Sequence, residues 1–427
     1  MSREKFGDLC DWNMAKILPN MRLMPEPTSP SASTGVRERN THAVLEALRE
    51  HRPAARADLA PRTGLSKPTV GSALRDLESA GLVRQYGRTT GRRGPSASLY
   101  DLVPDALLVL GIDIGAHYVR AVLADMDGQP VRETTEQLAR PHADDVLDSV
   151  RAIGRTVAAH IDRIELAVVG TPGIVDPATG RIGAAPNIDA WEGMLAERVL
   201  SDALGVPVRV DNDVNLAALG EHMAGGGRDA DSFAYLSIGS GLGAGIVLHG
   251  QLHRGARGAA GEIGFLPVGD DPFEANRRSH GGAMESQLSS RGLVEFAEQL
   301  APTTTSSLHA PYDVESLFEA ARSGDALGRA VVAHAARATA VCIAGLTSVA
   351  DLELVLLGGG IGINGGELLL PEIRAAIAEL VPAPPEIRCA ALNERAVDVG
   401  AIGVALDIAR QTVVRRLVRG EATSAQP

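Results

Sequence analysis

The chain has few cysteines, few aromatic residues and no long apolar run. Only 3 of its 427 residues are cysteine, and none form a CxxC pair, which argues against a disulfide framework or a cysteine-rich zinc site. Aromatic residues make up 3%, so we expect a core of Ala, Val, Leu and Ile. No stretch approaches the roughly 18–20 apolar residues of a membrane helix, and no apolar signal-peptide core is present. We therefore expect a cytoplasmic protein with no membrane partner.

The length and the charge distribution predict more than one domain. A chain of 427 residues exceeds the size of one ordinary core. The net charge is −12, but residues 36–100 hold 12 Lys and Arg against 6 Asp and Glu, while residues 1–35 hold 4 of each kind. The remainder holds 25 basic and 43 acidic residues. A small basic domain joined to a large acidic one indicates that only the first meets a polyanion.

The basic region has the pattern of a small DNA-binding domain. Residues 1–35 mix Pro, Ser and Met without periodicity, and we predict that they are disordered. Three short helices follow, the third in LSKPTVGSALRDLESAGLV (65–83), where Ser66 is a good N-cap and the apolar residues recur at helical spacing. A strand, a basic Gly-rich tip and a second strand come next. We predict an α+β winged helix-turn-helix over residues 36–102.

The third helix and the wing carry the residues that we expect to contact double-stranded DNA. Small polar and basic side chains at the start of such a helix contact base edges in the major groove, and wing arginines bind phosphates or a narrow minor groove. The alternative is a solvated basic hairpin on a protein-binding domain, but helices, wing and charge excess together favour DNA. The predicted contacts are Ser66, Lys67, Thr69, Ser72, Arg75, Arg88, Arg92 and Arg93.

From residue 106 onward, predicted strands alternate with helices, which indicates α/β sheets covered by helices. Four elements occur in order: DIG at 113–115, Asn-Asp at 212–213, GSGLGAG at 239–245 and GGG at 358–360. Each is weak alone, because glycine suits any tight turn and Asn or Asp caps helices.

Together, these four elements favour a phosphate site. Glycines let backbone amides approach phosphate oxygens, one Asp can organise a metal-bound phosphate, and a second can accept a hydroxyl proton. The predicted phosphate- or nucleotide-site residues are Asp113, Gly115, Gly239, Gly241, Gly243, Gly358 and Gly359.

The order of these motifs resembles the ROK family of repressors, uncharacterised open reading frames and sugar kinases, along nearly the whole chain. GTPGIVDPATG (170–180), the Asn-Asp-x-Asn at 212–215 and GEIG (261–264) are similar to family motifs. The resemblance implies a two-lobed α/β domain of the actin/hexokinase-like (ASKHA, ribonuclease H-like) fold over residues 106–420, and we predict a disordered tail at 421–427. Family members with an N-terminal winged helix are transcription regulators, commonly repressors of sugar-utilisation genes.

The resemblance also implies a sugar site. In the family, the residues at these positions bind the hydroxyl groups of the sugar. Asp213 is at the position of the catalytic base, a role that applies only if the domain is an active kinase. The implied sugar-binding residues are Asn187, Asn212, Asp213, Glu262 and Glu285.

Two departures from the kinase pattern bear on activity. Where family kinases have DIGGT, this chain has DIGAHY, so Ala116 adds a Cβ and His117 replaces a hydroxyl at the phosphate turn. Family kinases have GEIGH followed by cysteines that hold structural zinc. This chain has Phe265 in place of that His, and the stretch that follows contains no cysteine. We therefore expect that the zinc site is lost and that no metal is bound. His280 nearby is interpreted as a loop residue.

Three hypotheses for function remain open. The first is a sugar-responsive DNA-binding regulator, a homodimer by the family resemblance, whose pocket binds a sugar or sugar derivative without turnover and requires no cofactor. The second is a sugar kinase that uses ATP and Mg²⁺; Asp113, Asp213 and the glycine-rich turn favour it, while His117 and Phe265 oppose it. The third is a regulator whose pocket has lost its ligand and serves only for dimerisation.

Overall fold

The fold is taken from a computed structural model. The residues that it describes are 32–88, 96–269, 271–278 and 281–421. Most of the two segments expected to be disordered, 1–35 and 421–427, lies outside these ranges. The first helix begins at Ala32, so the predicted start of structure at residue 36 is four residues late. In its first turns Val36, Arg37 and Arg39 are exposed, and no apolar stripe marks this end of the helix in the sequence.

The N-terminal domain is a winged helix-turn-helix, as predicted. Three helices pack on a three-stranded antiparallel sheet of order β1-β3-β2. Ser66 caps the third helix by accepting a hydrogen bond from the Thr69 amide at 3.3 Å, and Val70, Leu74 and Leu77 are buried on the inner face of that helix. The elements are α1 (Ala32–Glu50), β1 (Ala54–Ala55), α2 (Arg56–Thr63), α3 (Lys67–Ser79), β2 (Val83–Arg88) and β3 (Ser98–Leu102).

The first lobe of the large domain is built on a five-stranded mixed sheet of order β6-β5-β4-β7-β8. A meander places β4, β5 and β6 antiparallel, whereas β7 and β8 run parallel to β4. Among the described residues, two helices of this lobe pack on one face of the sheet. The elements are β4 (Leu108–Ile114), β5 (Tyr118–Asp125), β6 (Pro130–Gln137), α4 (Ala143–Val157), β7 (Ile164–Thr171), α5 (Ala196–Leu204) and β8 (Val208–Asn212).

The second lobe has a sheet of order β11-β10-β9-β12-β13, with β12 and β13 parallel to β9. Its strands are β9 (Phe233–Ile238), β10 (Leu242–Leu248), β11 (Gln251–Leu252), β12 (Leu354–Gly358) and β13 (Glu386–Cys389). Its helices are α7 (Pro272–Arg278), α8 (Glu285–Leu288), α9 (Ser290–Leu300), α10 (Val314–Arg322), α11 (Ala326–Ala350), α12 (Gly359–Asn364) and α13 (Gly366–Leu380).

Two further helices, α6 (Asp213–Ala224) and α14 (Ala396–Arg419), lie between the sheets. Helix α14 packs against β4 and β7 of the first sheet, and α6 packs against β9 and β10 of the second. The two helices cross backbone to backbone, because a Cβ on Gly220 would collide with the carbonyl of Ala396 and one on Gly400 with the carbonyl of Leu216. This close crossing joins the lobes.

Within the described ranges, α11 is the one helix that is long and apolar enough to span a membrane by length and composition alone. The expectation that no stretch approaches the length and hydropathy of a membrane helix was wrong for α11. Arg329 and Arg337 interrupt this segment, but its average is still strongly apolar. Buried residues such as Val331 and Ile343 place one face of α11 in the core of the second lobe. Burial of this kind is what a core helix of a globular domain shows.

Candidate functional site

A cleft of about 1180 Å³ lies between the two lobes. Its walls come from the carboxyl ends of β4 and β8 in the first sheet, and from the β9–β10 turn and the residues after β12 in the second. Open α/β sheets bind ligands beyond the carboxyl ends of their strands. The predicted site residues that line the cleft are Asp113, Gly115, Asn187, Asn212, Asp213, Gly239, Gly241, Gly243, Glu262, Glu285 and Gly359.

The cleft has two sides, named after the roles expected from the sequence. The sugar side consists of Asn187, Asn212, Asp213, Glu262, Phe265 and Glu285. The phosphate side consists of Asp113, Gly115, His117, Tyr118, Gly239 and Gly359.

Asn212 and Asp213 reach the sugar side because β8 ends where α6 begins. Asn212 is the N-cap of α6: its Oδ1 accepts from the Asn215 amide at 3.0 Å, and its Nδ2 donates to the Gly173 carbonyl at 3.2 Å. Both polar ends of this amide are therefore bonded within the protein. Asp213 uses Oδ1 to accept from the Val214 amide at 2.9 Å. A second backbone hydrogen bond to this carboxyl comes from the Asp213 amide itself.

Three more side chains complete the acceptor groups of the sugar side. Glu285 opens α8, and its Oε2 accepts from the Leu242 amide at 3.0 Å. Asn187 lies beside it, because a Cβ on Gly241 would be 3.2 Å from both Asn187 Nδ2 and Glu285 Oε2. The Glu262 carboxylate makes no hydrogen bond or ion pair with any described side chain or amide. It faces the cleft as an unused acceptor.

The carboxyl groups of the sugar side hold protons more tightly than ordinary ones. Burial, followed by repulsion from Asp213 and Glu285, raises the pKa of Glu262 to about 7. Burial raises the pKa of Asp213 to about 6 and also raises the pKa of Glu285. Crowded and partly desolvated carboxylates gain from any ligand that donates hydrogen bonds to them.

Phe265 gives the sugar side an apolar surface. It follows Glu262 in a short 3₁₀ turn and is 41% exposed while lining the cleft. An aromatic ring beside carboxylates suits a pyranose, whose C–H groups pack on the ring while its hydroxyls face the acceptors.

Tyr118 occupies the phosphate side, at the turn between β4 and β5. Its hydroxyl donates to Oδ2 of Asp113 at 3.1 Å, and its ring lies 3.0 Å from where a Cβ on Gly115 would be. The guanidinium of Arg120 lies 5.0 Å from the ring centroid. The Tyr118 side chain therefore lies against both Asp113 and Gly115, where the sequence predicts a phosphate site.

Asp113 is a poor metal ligand in this setting. Burial, followed by repulsion from Asp398 and Asp213, raises its pKa to about 7. Arg120, which would favour the ionised form of Asp113, is shared with Asp398 at 3.4 Å and with the Glu394 carbonyl at 2.7 Å. The Tyr118 hydroxyl bonded to Asp113 and the Tyr118 ring against Gly115 occupy the positions where a magnesium-bound nucleotide would meet this carboxyl, so the arrangement does not fit that group.

The glycine-rich segments divide between the cleft and the packing beneath it. Gly239 and Gly241 form the tight β9–β10 turn, where the Gly239 amide donates to the Gly241 carbonyl at 3.0 Å. Gly359, with φ +72°, begins α12 at the cleft. Gly358 does not line the cleft: a Cβ there would collide with the ring of Tyr235, so this glycine is needed for packing.

The residues around Phe265 do not fit the structural zinc of family kinases. Phenylalanine has no ligand atom, and the segment that follows has no cysteine. Among the described residues, no group of three or more His, Cys, Asp or Glu is arranged to hold a metal ion. His280 lies outside those residues, and the expected loss of zinc stays a prediction.

The start of α3 presents the side chains predicted to contact DNA. Lys67 and Arg75 are exposed, and Ser72 is half-buried on the same helix. Ser66 and Thr69 share a hydrogen bond of 2.8 Å between their hydroxyls at the cap. Helix α3 is the second helix of the helix-turn-helix pair, and polar and cationic groups at the N-terminal end of that helix are suited to the major groove.

Only part of the predicted wing is described. Arg88 ends β2, is exposed, and donates to the Ser96 carbonyl at 3.3 Å across the hairpin. Arg92 and Arg93 lie outside the described residues, so their contribution to DNA binding stays a prediction.

The DNA-binding domain packs directly on the large domain through α1 and α14. One hydrophobic cluster contains Leu45 and Leu48 of α1 together with Leu406 and Val413 of α14. This continuous core makes the junction a packed interface and not a flexible linker.

Charged groups supplement that interface. Arg410, 4% exposed, donates to the Met126 carbonyl at 2.7 Å and lies 3.8 Å from Glu46 of α1. Arg52 pairs with Asp127 of the first lobe at 2.5 Å. Because Ala396 and Val397 at the other end of α14 line the cleft, this helix runs from the cleft to the DNA-binding domain.

The fold defines a two-lobed, hexokinase-like domain that carries a winged helix. Residues 109–411 match the model described as ROK family, and residues 38–94 match the model described as MarR family. The chain belongs to the ROK family. This confirms the predicted family and fold class.

Individual relatives include both regulators and kinases. The chain is 26% identical to the xylose repressor of Caldicellulosiruptor bescii, over 87% of this chain and 96% of that protein. It is 31% identical to the glucokinase of Halalkalibacterium halodurans, over 69% of this chain and 92% of that protein. A solved ROK family transcriptional regulator, a homologue of the E. coli MLC protein, superposes with a TM-score of 0.75 at 24% identity, over 90% of this chain and all of the other. The last similarity is evidence for the fold alone.

Sequence reasoning missed the residues that decide the state of the phosphate side. Tyr118 directly follows the altered DIGAH segment, so its position was a signal that pattern comparison could have used. Arg120 and Asp398 gave no such signal, because they are 278 positions apart and meet only through the fold. Their pairing links the phosphate side to the first turn of α14.

Proposed function

We propose that the protein is a DNA-binding transcriptional repressor whose ROK domain binds a sugar without phosphorylating it. The observation that carries the proposal is the direct packing of the DNA-binding domain on α14, the helix whose first turn lines the cleft. A ligand that changes the position of this helix acts on both ends of it. Such control requires that the ligand binds one arrangement of the lobes better than another.

The sugar side supports ligand binding. Glu262, Asp213 and Glu285 supply acceptors for hydroxyl groups, and Phe265 supplies an apolar surface. The named xylose repressors among the relatives make xylose the first sugar to test.

A sugar kinase is the second candidate, because Asp213 keeps its place in the cleft and glucokinases are among the relatives. Tyr118 on Asp113 opposes it, since phosphoryl transfer depends on placing the donor phosphate and its metal. A coupled assay should detect no sugar-dependent ADP release. Release that Asp213→Asn abolishes would establish the kinase instead.

We further propose that the protein acts as a cytoplasmic homodimer. A winged helix that binds a two-fold symmetric operator requires two copies at fixed spacing. Sedimentation equilibrium of the full chain, alone and with operator DNA, tests this state.

The repressor proposal is tested by fluorescence anisotropy on DNA from upstream of the protein's own gene, at one fixed salt concentration. We expect tight binding that one sugar releases. A chain that binds DNA equally with and without every sugar would act as a regulator without a ligand. A chain that binds neither this DNA nor a genomic fragment library would contradict the repressor.

A further inference from the structure

We propose that Arg254 is a positioning residue that ties the second lobe to the first beside the sugar side, and so holds Glu262 at a fixed place opposite Asp213. The segment that does this is the bridging loop, residues 253–262. Where it concerns effector affinity, the inference rests on the proposed function. The bond between the lobes can be tested without any ligand.

The bridging loop follows β11 directly and carries Glu262 at its end. Both ends of the loop are bonded to β10 of the second lobe. At the start, the His253 amide donates to the Ile246 carbonyl at 2.7 Å. At the end, the Ala244 amide donates to the Gly261 carbonyl at 2.9 Å. The bridging loop, and Glu262 with it, therefore belongs to the second lobe.

The Arg254 side chain reaches from this loop to the first lobe. Its Nη2 and Nε donate to Oδ2 of Asp211 at 2.7 and 3.1 Å. The other oxygen of Asp211, Oδ1, accepts from the Asn212 amide at 2.9 Å within the first lobe. The side chains of Arg254 and Asp211 are 24% and 15% exposed. Charge-assisted bonds of this kind are strong, and loss of the arginine would leave a partly buried carboxylate without this counter-charge.

A second contact joins the tip of the bridging loop to the first lobe. Gly258 has φ +78°, and a Cβ there would lie 2.1 Å from the carbonyl oxygen of Val175. Val175 lies just after Gly173, which lines the cleft. The backbones of the two lobes therefore meet at the tip, while Arg254 joins them near the base. Two separated contacts fix the orientation of the loop as well as its position.

The ion pair acts through the residues that it positions. Among the described residues that line the cleft, neither Asp211 nor Arg254 is included, whereas Glu262 and Asp213 both are. Asp213 follows Asp211 by two positions in the chain, and its charge contributes to the raised pKa of Glu262, so the two carboxyls are close. Side chains that the protein holds in place lose less freedom when a ligand binds. Loss of Arg254 should therefore loosen the loop and weaken the effector.

The first test is hydrogen exchange of the full-length protein without added ligand. Arg254→Met keeps an apolar stem, and we expect amides of the bridging loop to exchange about tenfold faster or more. Asp211→Asn should act in the same direction and is the second variant, in case Arg254→Met does not fold. Arg209→Met is the matched control, because Arg209 on β8 pairs with Glu197 at 3.1 Å inside the first lobe. Unchanged exchange of the loop in folded Arg254→Met would overturn the inference.

The second test separates positioning from a general loss of stability by titration calorimetry with xylose and with glucose. We expect Glu262→Gln to weaken binding in the wild-type background and to have less than a third of that effect in the Arg254→Met background, because residues that act together are not additive. Arg254→Lys keeps the charge and should restore most of the affinity. Equal effects of Glu262→Gln in the two backgrounds would overturn the positioning role.

Failure of the proposed function gives a different result from failure of this inference. If folded wild-type protein binds neither sugar, the expected effect on affinity fails together with sugar sensing by these ligands. The exchange measurement then decides by itself if Arg254 joins the lobes. Faster exchange in Arg254→Met alone supports the bond, and equal exchange in Arg254→Met and Arg209→Met contradicts it.

Discussion

The sugar side and the phosphate side of the cleft differ in whether their carboxylates are already bonded within the protein. Glu262 on the sugar side has no side-chain partner among the residues that the structure describes, whereas Asp113 on the phosphate side accepts a hydrogen bond from Tyr118. Burial and neighbouring carboxylates raise the pKa of each to about 7. One carboxyl group is thus available to a ligand and the other is occupied by the protein's own side chain.

This difference bears on the two candidate functions. The sheets, the glycine turn and Asp213 surround the cleft, whereas Tyr118 bonds to Asp113 and lies against Gly115. Because phosphoryl transfer depends mainly on positioning the donor, the proposal of binding without phosphorylation depends on this tyrosine.

The largest expected effect is on the sugar side. Glu262→Gln should weaken the effector about 10- to 100-fold, because hydrogen bonds to charged groups contribute about 1.5–3 kcal/mol. Titration calorimetry measures the affinity. Glu133→Gln, whose carboxylate already pairs with Arg395, should leave the effector affinity within twofold of wild type. Equal losses in the two variants would mean that the two carboxylates do not differ in the way the structure indicates.

A second prediction concerns the transmission of sugar binding to DNA through α14. Arg410→Met removes the contacts to Glu46 and Met126 while keeping apolar volume. We expect the ratio of operator affinities with and without effector to fall at least fivefold, since allosteric couplings are typically about 1–3 kcal/mol. Arg415→Met is the control, because Arg415 on the same helix makes no hydrogen bond or ion pair with described residues. An unchanged ratio in folded Arg410→Met would show that this contact does not transmit the signal.

A third prediction tests the closure of the phosphate side. Wild-type protein should bind magnesium-AMPPNP with a dissociation constant in the millimolar range, and Tyr118→Ala about tenfold more tightly, because space beside Asp113 and Gly115 opens. Tyr118→Phe keeps the ring and loses only the hydroxyl, so it should resemble wild type. Sub-millimolar binding by wild type, or no gain in Tyr118→Ala, would refute the role assigned to Tyr118. A tenfold change in affinity corresponds to about 1.4 kcal/mol.

The smallest expected effect is a pH dependence that separates the two sides. Asp113 and Glu262 have folded-state pKa values raised to about 7, so the folded protein holds more protons than the unfolded chain between about pH 4 and 7. Stability should therefore fall as pH rises through this window. Melting temperatures at pH 5, 6, 7 and 8 should show a smaller fall in Asp113→Asn and in Glu262→Gln.

Saturating effector should reduce the part of this dependence that the sugar-side carboxyls of Glu262, Asp213 and Glu285 contribute, because sugar hydroxyls stabilise their ionised forms, and should leave the contribution of Asp113. The slope should then be similar for wild type and Glu262→Gln, and still smaller for Asp113→Asn. A melting temperature that rises with pH over this range, with or without effector, would contradict the raised pKa values.

Much of the fold was predictable because it depends on local patterns. The cap at Ser66 and the apolar spacing behind it marked α3, and strands that end just after Asp113 and at Asn212 marked the edge where the cleft forms. The start of α1 was missed because no apolar stripe marks its first turns. The mean hydropathy of α11 was underestimated because scattered arginines interrupt a segment that is apolar on average.

The sequence by itself determined the two-domain organisation, the ROK membership and the residues that line the sugar side, because these follow from short motifs and local charge. Only the tertiary structure decided which of the predicted site residues are available to a ligand. Asn212 is used as a helix cap, Gly358 packs on Tyr235, and Asp113 is bonded to Tyr118. Whether a polar side chain is available to a ligand depends on neighbours from distant parts of the chain. The same holds for the packing of α1 on α14, which joins residues more than 350 positions apart.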